Sequence, residues 1–254
     1  MKEENQRYFG KGDNIVKEIE LGGKNVYGYD IGVLVLDSTF PRIKGDIGNA
    51  KTWDFPVLYK RVEGGTPKKV VLELSLEDIE PFIQAARDLE KEGVKAITTT
   101  CGFLSLFQKE LCDSVNVPVF TSALLFVPML SKMIASDKKI GVLTANKKTL
   151  TEKHLKAVGI EDIPMKIIGL EDGEEFTNFT VQNRDRVNTS ICRAELIEAA
   201  KKLTEDNDIG IIVLECTNMP PYTKDIQEVV DVPVFDIVTL TNMFYTALNP
   251  RRFD

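Results

Sequence analysis

The sequence predicts an α/β protein made of two related lobes, each a small parallel sheet flanked by helices. Two observations predict this fold. First, Cys101 and Cys216 are 115 positions apart, and the string VPVF recurs with the same spacing, at 117–120 and 232–235. A shared spacing without gaps indicates a duplicated unit. Second, in each copy an apolar run precedes the cysteine and an amphipathic segment follows it, which is the order of a buried strand and a helix.

We also expect a particular division of the chain between the two lobes. Residues 1–124 and 237–254 form the first lobe, which carries Cys101, and residues 125–236 form the second lobe, which carries Cys216. A chain of 254 residues is long enough to give each lobe a core of its own.

In the first half, residues 31–36 are predicted to form a buried strand that ends at Asp37 and Ser38, a polar edge suited to a ligand. Residues 40–56 contain prolines and glycines without a period, which predicts a long loop beside that edge. Arg42 in this loop either clamps a carboxylate or remains a solvated charge. The other predicted elements of this half are a strand at 69–74, a helix at 76–92 capped by Ser75 and Asp78, a strand at 96–99 and a helix at 122–136.

The second half restates this order. Residues 139–144 repeat the first strand, and Thr144 and Asn146 occupy the place of Asp37 and Ser38. A helix with His154 on its surface follows. The remaining predicted elements are a strand at 165–168, an acidic irregular loop at 169–183, a helix at 193–205, a strand at 211–214 and a final helix at 237–248.

Composition narrows the function classes. A net charge of −7 and a pI near 5.0 argue against binding to nucleic acid or to an anionic membrane. The N-terminus lacks the apolar core of a signal peptide, and no run reaches the roughly 18 apolar residues of a membrane span, so we expect a cytoplasmic protein. The four cysteines have no C-x-x-C spacing and the single histidine is His154, which predicts free thiols, no metal and no cofactor. The sequence leaves a homo-oligomer open.

Each repeated cysteine is placed at the carboxyl end of a strand and ahead of a helix, where ligands of α/β sheets bind and where a helix N-terminus stabilises a thiolate. A free thiol has a pKa of about 8.5, so a modest decrease would leave one cysteine as base and the other as acid. Two such groups on opposite faces of a carbon can invert its configuration. Ser38, Thr217 and Asn218 could donate hydrogen bonds to the developing negative charge. Cys112 and Cys192 have no repeat partner and are predicted to be structural.

The motifs TTTCGF at 98–103 and ECTNMP at 215–220, together with Asp37-Ser38 after the first strand, resemble the aspartate/glutamate racemase superfamily. This superfamily also includes hydantoin racemases, maleate isomerases and arylmalonate decarboxylases. The resemblance covers most of residues 31–250. It implies two pseudo-twofold lobes with the active site between them, and racemisation of an acidic amino acid through Cys101 and Cys216 without an organic cofactor.

The chain departs from glutamate racemases, which carry Cys-Asn-Thr and Cys-Thr-His where this sequence has Cys101-Gly102-Phe103 and Cys216-Thr217-Asn218. It is therefore more similar to the broader racemase-like group than to a cell-wall glutamate racemase. The residues expected to bind substrate are Asp37, Ser38, Arg42, Thr100, Gly102, Phe103, Thr144, Asn146, Thr217 and Asn218.

Three functions follow from these features. The first is a two-thiol racemase acting on aspartate or glutamate. The second is a maleate-type cis–trans isomerase, or a decarboxylase or other lyase, acting on a small dicarboxylate. The third is a non-catalytic protein that binds a small carboxylate. In each case the expected partner is a small anionic molecule.

Overall fold

The computed structural model describes residues 22–75 and 78–253. The charged segment 1–21 and residues 76–77 of the predicted helix 76–92 lie outside this part of the chain. Two four-stranded parallel sheets organise the described residues, and the prediction of two α/β lobes with parallel sheets is confirmed. The strands are β1 (Ile31–Leu36), β2 (Val57–Val62), β3 (Ala96–Thr99), β4 (Val119–Phe120), β5 (Lys139–Thr144), β6 (Met165–Gly169), β7 (Ile209–Leu214) and β8 (Val234–Phe235).

The two sheets have the same topology. Their strand orders are β2-β1-β3-β4 and β6-β5-β7-β8, so that each strand of the first sheet has a counterpart in the second. Leu34 pairs with Thr99 at the end of β3, and Leu143 pairs with Leu214 at the end of β7. The sheet order therefore reproduces the duplication that the cysteine spacing predicts, and it places the carboxyl ends of β3 and β7 at corresponding positions.

Helices cover the sheets. They are α1 (Pro67–Leu72), α2 (Glu80–Glu92), α3 (Gln108–Ser114), α4 (Val127–Leu130), α5 (Glu152–Ala157), α6 (Phe176–Val181), α7 (Thr189–Thr204), α8 (Thr223–Gln227) and α9 (Ile237–Leu248). Short 3-10 helices span Ala50–Thr52, Gly102–Phe107, Ala123–Phe126 and Pro220–Tyr222. None of the helices within the described ranges has the length and apolarity needed to cross a bilayer.

The predicted strand at 69–74 is wrong, because this stretch lies largely within the helix α1. Thr66 caps the helix by accepting a hydrogen bond from the backbone N–H of Lys69, and Pro67 occupies the first turn, where a missing N–H is tolerated. These start signals outweigh the β-branched pair Val70 and Val71, which the helix buries on one face. The strand that pairs with β1 is instead β2, at Val57–Val62.

Two helix predictions and one loop prediction also need correction. The Ser75–Asp78 hydrogen bonds form, but α2 begins only at Glu80, with Pro81 in its first turn. The helix expected at 122–136 is a 3-10 turn followed by the single turn of α4. The segment 169–183, expected to be irregular, contains α6 at Phe176–Val181.

The final helix, α9, has the predicted bounds and packs on the first lobe. The ring of Phe244 stacks on that of Phe120, with centroids 4.3 Å apart, and Tyr245 stacks on Phe55 at 3.6 Å. Asn249 beyond the helix donates a hydrogen bond to Asp30 at 2.9 Å. These contacts join α9 and Asn249 to the first sheet and its loops, and the division of the chain into lobes stays a prediction.

Candidate active site

The two repeated cysteines line one pocket at the junction of the lobes. Cys101 lies between β3 and the 3-10 helix Gly102–Phe107, and Cys216 follows β7 after one intervening residue. Both are free thiols with 8% of their surface exposed. The duplicated fold therefore brings together the two groups that the sequence singled out.

The pocket is a small cavity of about 20 Å³ and is lined mainly by apolar side chains from both lobes. Segments that the sequence analysis did not associate with the site contribute to it, notably α1 and the end of α6. The lining residues are Leu36, Phe40, Pro67, Val71, Thr100, Cys101, Gly102, Phe103, Ala145, Thr180, Val181, Glu215, Cys216 and Asn218.

The prediction that helix N-termini lower the thiol pKa values is wrong for this structure. The segment after Cys101 is a 3-10 helix, and the backbone N–H groups of Phe103 and Leu104 do favour the thiolate. Burial outweighs them and, with the nearby charge of Glu215, raises the pKa of Cys101 to about 12. Burial and Glu215 also raise the pKa of Cys216 well above its ordinary value. Both cysteines therefore rest as thiols.

Four of the predicted substrate-binding residues reach the pocket: Thr100, Gly102, Phe103 and Asn218. The hydroxyl of Thr100 accepts a hydrogen bond from the backbone N–H of Leu36, and its carbonyl accepts one from the hydroxyl of Thr217 at 2.6 Å. Thr217 thus joins the two thiol-bearing loops, although it does not line the pocket itself.

Asp37 and Asn146 bind neighbouring backbone instead of facing the pocket. Asp37 accepts a hydrogen bond from the N–H of Gly64 at 3.3 Å and pairs with Arg61 at 3.7 Å. The side-chain oxygen of Asn146 accepts hydrogen bonds from the N–H groups of the second and third residues after it. Asn146 thus forms a turn, Asp37 joins the end of β1 to the loop after β2, and neither residue lines the pocket.

Arg42 is paired with a carboxylate of the protein. Its guanidinium donates to Asp46 at 2.9 Å and to the hydroxyl of Ser38 at 3.0 Å, and it lies 4.6 Å from the ring centroid of Phe40. Neither Arg42 nor Ser38 is among the lining residues. The cation expected to clamp a carboxylate is therefore neutralised by a carboxylate of the protein.

Asp46 connects this cation to the second thiol. It is 2% exposed, and its second oxygen accepts a hydrogen bond from the side-chain N–H of Asn218 at 2.5 Å. A carboxylate can only accept, so this bond fixes the orientation of the Asn218 amide and turns its oxygen toward Cys216, 3.7 Å from the sulfur. That oxygen can accept the S–H of Cys216 and so favours its thiol form.

Glu215 is the site residue that the sequence analysis missed. It is fully buried, lines the pocket and directly precedes Cys216. One carboxyl oxygen accepts a hydrogen bond from the hydroxyl of Thr144 at 2.8 Å, and burial raises the pKa of this carboxyl to about 7. The signal was present in the repeat, because the residue before Cys101 is Thr100 whereas the residue before Cys216 is an acid at the end of a buried strand.

His154 is not the surface residue that was expected. It is 5% exposed, and its ring packs edge-on against Phe103 with centroids 5.3 Å apart. Burial lowers the pKa of His154 to about 4, so the imidazole is neutral and serves as a wall behind the pocket. The predicted structural role of Cys192 agrees with its complete burial in the second lobe.

A model of the Asp/Glu/hydantoin racemase family matches residues 77–242. The chain belongs to this family. The match spans both thiol loops, so the family assignment covers the pocket described above. The family comprises enzymes, which are racemases or catalyse related reactions.

Two curated relatives of this Asp/Glu/hydantoin racemase family member are lyases by name. A dimethylsulfoniopropionate lyase of Durusdinium sp. clade D is 30% identical over 237 residues, which cover 89% of this chain and 78% of that protein. Dimethylsulfoniopropionate lyase 6 of Emiliania huxleyi (strain CCMP1516) is 32% identical over 234 residues, covering 87% of this chain and 61% of that protein. The chain thus spans less than two thirds of the second relative.

Solved structures share the fold of this family member. Allantoin racemase from Klebsiella pneumoniae superposes with a TM-score of 0.62 at 15% identity, covering 86% of each chain. At this identity the likeness establishes the two-lobed fold and leaves the reaction to the residues of the pocket.

Proposed function

We propose that the protein is a cofactor-independent lyase that removes the α-proton of a small carboxylate and expels a leaving group from the β-carbon. The substrate class is a sulfonium zwitterion of the dimethylsulfoniopropionate type. The observation that carries this proposal is the charge of the pocket. Among the described residues that line it there is no Lys or Arg, whereas it contains the carboxyl group of Glu215 and the rings of Phe40 and Phe103.

This lining suits a positively charged leaving group. A sulfonium cation is attracted to aromatic faces and to a carboxylate, and the mainly apolar wall accommodates its methyl groups. Aspartate and glutamate each carry two carboxylates, and the nearest cation, Arg42, is already paired with Asp46. A substrate with one carboxylate and one onium group therefore complements the pocket better than an acidic amino acid does. The names of the two relatives point to the same substrate class.

The surroundings of the two thiols assign them different roles. The backbone N–H groups of Phe103 and Leu104, with the charge of Arg42, favour the thiolate of Cys101. The backbone N–H of Asn218 favours the thiolate of Cys216, but the charges of Glu215 and Asp46 and the amide oxygen of Asn218 favour its protonated form. Cys101 is therefore the base, and Cys216 is a hydrogen-bond donor to the charge that develops on the substrate.

The Cys101 thiolate takes the α-proton, and the electron pair of the broken C–H bond forms the double bond between the α- and β-carbons. The bond from the β-carbon to the sulfonium sulfur breaks, and its electron pair leaves on neutral dimethyl sulfide. The other product is acrylate, and the proton on Cys101 passes to solvent before the next turnover.

The test is release of dimethyl sulfide, measured by gas chromatography, from dimethylsulfoniopropionate incubated with the purified protein. We expect Cys101→Ser to lower the rate about 100-fold or more, because a serine hydroxyl is a far weaker acid than a thiol. Cys216→Ser should lose less, since a hydroxyl still donates a hydrogen bond. Cys112→Ser, which changes a thiol outside the pocket, is the matched control and should keep the wild-type rate.

The second candidate is an amino-acid racemase acting on aspartate or glutamate. It is favoured by the presence of two thiols at corresponding strand ends, since racemisation requires a group on each face of the carbon whereas elimination requires one base. Proton NMR in D2O distinguishes the two. Absence of dimethyl sulfide, together with loss of the α-proton signal of aspartate or glutamate and formation of the opposite enantiomer, would replace the lyase with the racemase. Consumption of maleate would indicate the cis–trans isomerase. Binding of a small carboxylate without turnover would indicate the non-catalytic binding protein.

A further inference from the structure

The carboxyl group of Glu215 is positioned unlike a structural carboxylate. Its side chain is fully buried, and only one of its two oxygens has a partner, the hydroxyl of Thr144 at 2.8 Å. The other oxygen, Oε1, has no hydrogen-bond partner among the described residues, although it is shielded from solvent. Buried polar atoms without partners are rare and costly, so such an atom in a pocket wall requires an explanation.

The unpartnered oxygen lies at the contact between the two thiol loops. Gly102 directly follows Cys101, and a Cβ atom at this glycine would overlap Oε1 of Glu215 as well as its backbone oxygen. The missing side chain of Gly102 is therefore what allows the carboxyl group to approach the Cys101 loop. Glu215 itself directly precedes Cys216, so the carboxyl group is next to both thiols and its charge raises the pKa of each.

The remaining charges of the site do not neutralise Glu215. No Lys or Arg among the described residues forms an ion pair with it, and the other charged side chains of the site, Arg42 and Asp46, pair with each other. The groups that contact Glu215 are the hydroxyl of Thr144 and the backbone around Gly102, and the titratable groups on which its charge acts are the two thiols. Neither thiol hydrogen-bonds to Oε1 among the described residues. Its natural exchange partner for a proton is therefore a thiol.

We propose that Glu215 is the proton acceptor that converts the resting thiol of Cys101 into the catalytic thiolate. This inference rests on the proposed thiol-based function. That function needs a group that accepts the proton of Cys101, because both cysteines rest protonated. In the step, the S–H bond of Cys101 breaks and an O–H bond forms on Glu215. A thiol beside a carboxylate becomes a thiolate beside a neutral carboxylic acid, so the thiolate forms without a second negative charge next to it. After the substrate proton has moved to Cys101, the proton on Glu215 returns to solvent.

A coupled pair of this kind has a recognisable titration. The carboxyl and thiol together lose one proton near pH 7, after which a small, constant fraction carries the charge on sulfur, and they lose the second proton only at much higher pH. The alkylation rate of Cys101 should therefore rise through about pH 7, reach a plateau and rise again. This profile needs no substrate, so it can be measured whatever reaction the protein catalyses.

The experiment compares the wild-type protein with Glu215→Gln, which keeps the shape of the side chain and can still accept from Thr144. Iodoacetamide labelling of Cys101, located by mass spectrometry, is followed from pH 5 to pH 10, and turnover of dimethylsulfoniopropionate is followed in parallel. We expect the variant to lose the step near pH 7 and to lose about 100-fold or more in kcat with KM within a few-fold. Glu198→Gln, an exposed acid on α7, is the matched control and should behave as wild type in both measurements.

A purely electrostatic bystander predicts the opposite result. Removing its charge makes both thiols easier to ionise in either case, so faster alkylation of Glu215→Gln above pH 7 does not separate the two roles. A bystander differs in turnover, because Glu215→Gln would then turn over at least as well as wild type. That outcome, or a step near pH 7 that survives the substitution, overturns the proposal. If the wild-type protein does not release dimethyl sulfide, the lyase proposal fails, whereas the role of Glu215 still requires a labelling step near pH 7 that Glu215→Gln lacks, and its absence from wild type overturns that role.

Discussion

At the scale of single residues, a buried acid beside two thiols makes the stability of this fold depend on pH. The folded-state pKa of Glu215, about 7, lies above the ordinary value of 4.5. As the pH rises from 4.5 to 7, the unfolded chain ionises this carboxyl before the folded chain does, so its contribution favours unfolding increasingly through that window. The cost of keeping this acid in the pocket is consistent with a functional role.

Glu215→Gln replaces the titrating carboxyl with an amide that does not ionise. Relative to wild type, the variant should gain free energy of unfolding between pH 4.5 and 7, by about 3 kcal/mol for a shift of this size. Urea unfolding at pH 4.5 and pH 8 measures the change, and Glu198→Gln should show no such gain. If the difference in free energy of unfolding between wild type and Glu215→Gln does not change with pH, folding does not raise the pKa of this carboxyl.

Some residues of the site can be predicted from the sequence, and others cannot. The duplicated spacing predicts Cys101 and Cys216, because a repeat requires no knowledge of three-dimensional contacts. Glu215 was missed because its role depends on a close approach across the lobes, which only Gly102 on the other loop permits. Arg42 was expected to meet the ligand, but its partner, Asp46, follows it by one helical turn's spacing in a segment without helical structure. Such loop contacts leave no periodic signal.

At the scale of elements, strands were easier to predict than helices. The bounds of β1, β3 and β5 match the predictions, because buried parallel strands are continuous apolar runs bounded by polar residues. The error at α1 arose because a short helix can bury a β-branched pair as a strand does, and only its capping residues distinguish the two. At α7 the predicted start, residue 193, came four residues after the observed start at Thr189.

The cap of α7 explains its earlier start and gives a test. The side-chain oxygen of Asn188 accepts hydrogen bonds from the N–H groups of Ser190 and Ile191, at 3.1 and 3.3 Å. Asn188→Ala should therefore destabilise the fold by about 1 kcal/mol in urea unfolding. Asn25→Ala, at an exposed position outside any helix, is the control and should change little. A cost no larger than that of the control would show that the first turn of α7 does not depend on this cap.

At the scale of the whole molecule, the active site is formed where the lobes are held together. The side-chain oxygen of Asn183 accepts from the N–H groups of Thr39 and Phe40, which joins the loop after α6 to the loop after β1. Asn218 donates to Asp46 across the same junction. The duplication predicts that two lobes exist, but the bonds that set their spacing come from loops that differ between the two halves. The pocket is therefore less predictable than either sheet.

The bond from Thr217 to the carbonyl of Thr100 tests whether this spacing matters for catalysis, because it is the contact that directly joins the two thiol loops at 2.6 Å. Thr217→Val keeps the shape of the side chain but removes the donor, and we expect a loss of about 1–3 kcal/mol in stability. We also expect a reduction in kcat of about tenfold or more at saturating substrate, since small displacements of reacting groups slow the chemical step.

The matched control is Thr246→Val, which removes a hydroxyl-to-carbonyl bond of 2.8 Å within α9, away from the pocket. It should lower stability without lowering kcat, measured at a temperature where both variants are fully folded. If Thr217→Val also leaves kcat unchanged, the lobes hold their spacing without this bond, and the Asn218–Asp46 and Asn183 contacts are sufficient to align the two thiols. If only Thr217→Val loses turnover, the alignment of Cys101 with Cys216 depends on a hydrogen bond whose two members lie directly beside the thiols in the sequence.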